Sequence, residues 1–174
     1  MGVDKSTLAI SGEPLWRRQL RILAEVQPSA VWISARSTPS WCPAGIEVIL
    51  DGPRSRGPLS GVAAGLERLR TSHLLVLAVD LPRVPVEHLR KLCNLIRPGC
   101  GVIPQNTEGF EPLCAVYPVE AAPNAREALA SHNLSLQHFA RTLINQGRLK
   151  AYRITPEERA MYLNVNYPAD LEFQ

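Results

Sequence analysis

Two aspartates stand directly behind strand-like runs. Asp80 closes the stretch Leu74-Leu75-Val76-Leu77-Ala78-Val79-Asp80-Leu81-Pro82, and Asp51 follows the run at 46–50. Six apolar residues without alternation ahead of Asp80 predict a central parallel strand, covered on both faces. In open α/β sheets ligands bind at the carboxyl ends of such strands, where the loops diverge. A carboxylate there offers hard oxygen to Mg2+, an ion that commonly carries substrate phosphates. Pro82 and Pro85 stiffen the exit and so fix where Asp80 points. The same aspartate also suits the N-cap of the helix that follows. Ser34 ends a third strand-like run, Lys5 lies near the start, and Asn164 and Asn166 lie in the tail. Singly, a lysine of this kind is a solvated charge and the two asparagines are turn residues.

Several chemistries are excluded by motif. The chain has no G-x-x-x-x-G-K-[ST] loop and no G-x-G-x-x-G turn. Gly57-Pro58-Leu59-Ser60-Gly61 has the wrong spacing for a nucleophile elbow. The four cysteines, at 42, 93, 100 and 114, form no C-x-x-C pair, and the four histidines supply no zinc-ligand spacing. They are expected to be reduced, mostly buried thiols. The net charge of +3 is modest and its basic residues are scattered. That argues against a nucleic-acid surface and suits a small anionic ligand. No apolar run approaches the ~20 residues of a membrane span, and no secretory leader is recognisable. The expected location is the cytoplasm.

The elements that must position these residues follow from periodicity. Residues 8–10 read as a short strand turning at Ser11-Gly12. Pro14 opens a helix with Trp16, Leu20, Leu23 and Ala24 as its apolar stripe. Strands are expected at 30–34, 46–50, 74–79, 102–103, 113–117 and 150–154. Pro58 starts a helix with Leu59, Val62, Ala63, Leu66 and Leu69 on one face, and further helices are expected at 86–96, 121–131 and 135–146. Ser135 caps the last of these and Gly147 stops it. Pro168 begins a short terminal helix. With 174 residues and no repeat or linker, one α/β domain accounts for the chain.

The spread of motifs is more specific than any one of them. Met1-Gly2-Val3-Asp4-Lys5, Gly12-Glu13-Pro14-Leu15, Asp51 with Gly57-Pro58-Leu59-Ser60-Gly61, Val79-Asp80-Leu81-Pro82, and Asn164-Val165-Asn166-Tyr167-Pro168-Ala169-Asp170 appear in that order. Over essentially its whole length the chain resembles the molybdenum cofactor guanylyltransferases (molybdopterin-guanine dinucleotide synthases). The resemblance implies a three-layer Rossmann-like nucleotidyltransferase domain with a mostly parallel sheet, spanning residues 1–174. It implies GTP as substrate, Mg2+ as cofactor and the phosphate of molybdopterin as acceptor. Further partners would be other proteins of molybdenum cofactor biosynthesis or molybdoenzyme maturation. Lys5 matches the lysine that meets the nucleotide phosphates, Ser34 and Asp51 match residues lining the nucleotide pocket, and Asp80 matches the aspartate that binds Mg2+ and nucleotide. Asn166, rather than Asn164, matches the late asparagine that completes the metal site. The stretch 111–117 resembles a segment on the acceptor side.

Guanylyl transfer suits these residue types. The attacking phosphate is already an anion, so alignment and charge neutralisation matter more than a strong base. Two departures stand out. Ser34 occupies a position where the family often has Asn. The family's opening strand and glycine-rich loop have no counterpart ahead of Met1-Gly2, so the domain is expected to be N-terminally incomplete. Rival readings are transfer of a cytidylyl or other nucleotidyl group to molybdopterin or a sugar phosphate, and a non-catalytic homologue that binds cofactor or a partner protein.

Overall fold

A computed structural model of the chain describes residues 5–51, 57–131 and 133–165. After a 3-10 turn at Lys5–Thr7 come the two-residue strands β1 (Ala9–Ile10) and β2 (Glu13–Pro14), which pair antiparallel. Helix α1 (Leu15–Val26) leads to β3 (Trp32–Ala35) and β4 (Glu47–Leu50). Helix α2 (Pro58–Arg68), β5 (His73–Leu77), α3 (Val86–Asn94), β6 (Gly101–Gln105) and β7 (Cys114–Pro118) follow. The chain then forms α4 (Ala122–Ala130), α5 (Leu136–Asn145), β8 (Leu149–Arg153) and a 3-10 turn at Arg159–Tyr162.

The helix ends obey local chemistry. Pro58 occupies the first turn of α2, where its missing N–H leaves no bond unmade. Ser135 accepts from the His138 N–H at 3.4 Å and caps α5. Gly147 takes φ 70° just beyond it, in the left-handed region that ends helices. The expected helix at Pro168 lies outside the described residues.

The strands form two larger sheets. β3 and β4 run parallel as a pair, and the other sheet has the order β5-β7-β6-β8. That sheet is mixed: β6 and β8 are parallel, whereas β7 is antiparallel to both of its neighbours. The expectation for the run before Asp80 is corrected here. β5 is neither central nor parallel among the described residues; it is an edge strand whose one partner, β7, runs antiparallel to it. All five of its residues are only half-buried, because a strand paired on one side is open on the other.

Three layers result. On one face α2, α4 and α5 pack Leu59, Val62, Leu66, Ala125, Phe139 and Leu143 over Ile103, Ala115 and Tyr117. On the other, α1 and α3 pack Ile22, Leu89 and Leu92 over Val102, Cys114 and Val116. The alternation along β7 sends Tyr117 to one core and Val116 to the other, the period-2 rule of a strand covered twice. Helix α2 lies against both sheets. A Cβ on its Gly61 would collide with Ser34 Oγ on β3, and one on Gly65 would come within 2.9 Å of Leu74 on β5. Two glycines one turn apart let the helix approach closely at both places.

Candidate active site

Ser34 and Asp51 are brought together. Ser34 lies within β3 and Asp51 directly follows β4, so the parallel register sets them side by side. The Ser34 hydroxyl donates to Asp51 Oδ1 at 2.6 Å, and the Asp51 N–H donates to the Ala35 carbonyl at 3.0 Å. Gly61 roofs the pair, with its Cβ position 3.3 Å from Ser34 Cβ and 3.5 Å from Asp51 Oδ1. The result is a polar corner in which a side chain larger than glycine on α2 has no room.

Asp80 sits three residues beyond β5, half-buried, in a loop held by its carbonyl oxygens. The Gln19 amide donates to the Ala78 and Leu81 carbonyls, both at 2.9 Å. Arg18 Nε donates to the Pro82 carbonyl at 2.8 Å, and the Val165 N–H donates to the Asp80 carbonyl at 2.9 Å. Nothing among the described residues donates to the Asp80 carboxylate itself. Backbone clamped and carboxylate presented is the arrangement a ligand-binding acid needs. The alternative role as a helix cap is overturned, because α3 begins at Val86 with Pro85 as its N-cap and no capping side chain.

The other expected residues are placed less completely. Lys5 is exposed in the opening 3-10 turn, which packs on α1. Asn164 is exposed beside Val165, at the point where the tail meets the Asp80 loop. Asn166 lies outside the described residues. On the segment 106–113, Gln137 of α5 bonds both backbone groups of Phe110, accepting from its N–H at 2.9 Å and donating to its carbonyl at 2.8 Å. Asn106 donates to Glu111 at 2.8 Å. Burial, with help from Glu108, holds the Glu111 carboxyl above its usual range. The buried Tyr117 hydroxyl donates to the Pro112 carbonyl at 2.7 Å and fixes the exit of that loop.

The model of the MobA-like NTP transferase domain matches residues 1–150. The chain belongs to that family. It is 34% identical over 173 residues to a protein of Opitutus terrae named probable molybdenum cofactor guanylyltransferase, covering 98% of this chain and 86% of that one. A molybdenum cofactor guanylyltransferase of Cereibacter sphaeroides is 32% identical over 176 residues, with 98% and 86% covered. Among solved structures, molybdopterin-guanine dinucleotide biosynthesis protein A of Archaeoglobus fulgidus superposes with a TM-score of 0.72 at 22% identity, over 98% of this chain and 88% of that one. The 2-C-methyl-D-erythritol 4-phosphate cytidylyltransferase of Thermus thermophilus gives 0.68 at 15%, over 96% and 90%. These two likenesses are of fold, and the fold is the α/β nucleotidyltransferase fold.

Sequence reasoning missed the residues that hold the Asp80 loop. The buried stripe of α1 is Leu15, Gln19 and Ile22 rather than Trp16, Leu20, Leu23 and Ala24. An amide set among apolar residues at helical spacing was the available signal for Gln19. Val165 and the Arg18 bond left no signal, because each depends on chain far away in sequence. Of the cysteines, Cys114 is the buried one, and burial pushes its thiol up to about 12.

Proposed function

We propose that this chain transfers a guanylyl group from GTP to the phosphate of molybdenum-molybdopterin, releasing pyrophosphate, in molybdenum cofactor biosynthesis in the cytoplasm. The observation that carries this reading is the 34% identity to a probable molybdenum cofactor guanylyltransferase across 98% of the chain. The paired Ser34 and Asp51, and the Asp80 carboxylate, which takes no donor among the described residues, supply the polar groups such a site requires.

Ser34 and Asp51 meet the base and ribose of GTP, with Asp51 as acceptor for N–H or O–H donors. Lys5 lies on the phosphates, where its ammonium offsets charge that gathers on the departing pyrophosphate. Asp80 fits Mg2+ by its chemistry: one hard carboxylate on a fixed backbone is the small protein contribution this ion takes when substrate phosphates and water complete its shell. Asn166 is the second proposed ligand. When bound, Mg2+ supplies neutralisation of phosphate charge and alignment of the α-phosphorus. The stretch 111–117, in which the Tyr117 hydroxyl donates to the Pro112 carbonyl, lies on the acceptor side in this reading.

The whole chain, residues 1–174, forms one nucleotidyltransferase domain in this reading. Support comes from α2, which packs on both the β3–β4 pair and the sheet that holds β5, at a one-turn interval. The test of the function is direct. The protein incubated with Mg2+, molybdopterin and either GTP or CTP should form the guanine dinucleotide and pyrophosphate from GTP alone. Product from CTP in preference to GTP, or no product from either, would overturn the reading.

A further inference from the structure

A buried polar cluster lies behind the Asp80 loop and takes no part in the chemistry above. His88 of α3 is 4% exposed, and its Nε2 lies 2.5 Å from the hydroxyl of Tyr162 in the last 3-10 turn. Glu158, which precedes that turn, accepts from Tyr152 of β8 at 2.7 and 2.8 Å, from the Lys91 ammonium at 3.0 Å and from the Thr155 N–H at 3.0 Å. His88 Nδ1 stands 3.6 Å from the same carboxylate. Cys114, at the start of β7, belongs to the same buried cluster as Tyr162. The groups facing the imidazole are therefore Lys91 from its own helix, Tyr152 from β8, and Glu158 and Tyr162 from the terminal segment.

The protons follow from this network. Burial keeps the Tyr162 hydroxyl protonated, so it donates to Nε2, and burial likewise holds His88 neutral with its ring proton on Nδ1 toward Glu158. Such a pair differs from the apolar contacts around it. Apolar burial is non-directional, whereas a hydrogen bond fixes distance and angle.

Val165 comes three positions after Tyr162. It is 1% exposed and its N–H is on the Asp80 carbonyl. The two residues between, Leu163 and Asn164, are exposed and make no hydrogen bond among the described residues. The segment is thus fastened at two points only three positions apart, Tyr162 and Val165, so the placement of one bears on the other. We propose that His88 and Tyr162 are positioning residues for Asp80: their buried bond sets Tyr162, Tyr162 sets Val165, and Val165 holds the backbone that presents the carboxylate. The proposal rests on the reading of Asp80 as a ligand of the metal-bound nucleotide.

The test compares His88→Leu, which fills the space without an acceptor, with His88→Gln, whose amide can still accept from Tyr162. Amide hydrogen exchange at Val165 and the separate values of kcat and KM for GTP are the readouts. In His88→Leu, exchange at Val165 should quicken by about tenfold or more while other core amides keep their protection. Its kcat should fall about tenfold with KM for GTP little changed. In His88→Gln both should return to near the starting values. Equal behaviour of the two variants, or unchanged Val165 exchange in His88→Leu, would show that the imidazole only fills space and would overturn the proposal. If His88→Leu does not fold, Tyr162→Phe keeps the ring and removes the bond alone, with the same expected result. A wild-type protein that transfers no guanylyl group would refute the functional reading, while the exchange comparison would still decide whether this pair holds the Asp80 loop.

Discussion

The Ser34 hydroxyl donates to Asp51 Oδ1 at 2.6 Å, under a helix that comes close because residue 61 is glycine. A methyl group at 61 would meet the Ser34 hydroxyl first and the Ser34 Cβ, at 3.3 Å, second. Gly61→Ala should therefore destabilise the fold by about 1–3 kcal/mol through overpacking. In a Ser34→Ala background the same change should cost about 1 kcal/mol less, since the hydroxyl is gone. Urea denaturation of the four proteins in the cycle checks this, and strict additivity would show that helix and serine are not coupled.

Asp80 presents a carboxylate with no donor among the described residues. Asp80→Asn should leave the thermal midpoint nearly unchanged. The loss of one preorganised electrostatic contact should lower kcat by about 100- to 1,000-fold. Wild-type turnover in the variant would remove Asp80 from the metal site.

Lys5 and Asp51 are expected to divide the nucleotide between them. Lys5→Ala should weaken GTP far more than guanosine, because its ammonium answers phosphate charge. Asp51→Ala should weaken both and also leave the Ser34 hydroxyl without its partner. Calorimetric titration with the two ligands separates these cases, and equal losses in the Lys5 variant would sink the division.

Glu158 links stability to acid. Burial by itself would raise its pKa, but the bonds from the Thr155 N–H, Tyr152 and Lys91 outweigh burial and hold it at about 2. The folded value lies below the ordinary 4.5, so the unfolded chain binds the proton first as pH falls. The stabilisation is complete above about pH 4.5 and is lost on the way down to about pH 2, and the displacement corresponds to about 3 kcal/mol at most. His88 acts in the same sense higher up: burial lowers its pKa from 6.5, so stability declines once pH drops below that value. Glu158→Gln should lose about 1–3 kcal/mol at pH 7 and flatten the acid limb between pH 4.5 and 2. Urea unfolding at a series of pH values measures both effects.

Among the described residues the β3–β4 pair and β5 have edges that no strand pairs, and this bears on stability. A strand-forming apolar segment joined ahead of residue 1 should pair with them and satisfy backbone groups on both sides. A gain of about 2 kcal/mol or more would raise the thermal midpoint of a chain this size by about 4–8 °C. Calorimetry on the extended and the unextended chain, with an added polar segment as control, tests it. No difference between apolar and polar additions would show that the edges take no strand.

What could be read along the chain was local. Asp51 and Asp80 could be placed after strands because a strand-forming apolar stretch can be read locally, and a polar residue at its end marks the exit. Pro58, Ser135 and Gly147 marked helix ends because each acts on backbone groups within a turn of itself. The motifs at Lys5, Gly12, Asp51, Asp80 and Asn164 pointed to the family through their order. Tertiary structure decided what depends on chain distant in sequence. That β5 pairs antiparallel with β7 and, among the described residues, stands at an edge is a matter of which strand arrives beside it, and apolar runs are alike for either direction. That Gln19 is buried, that Val165 holds the Asp80 carbonyl and that His88 bonds Tyr162 are contacts across most of the molecule. A buried polar group must find its partner somewhere, but the sequence around it does not say where.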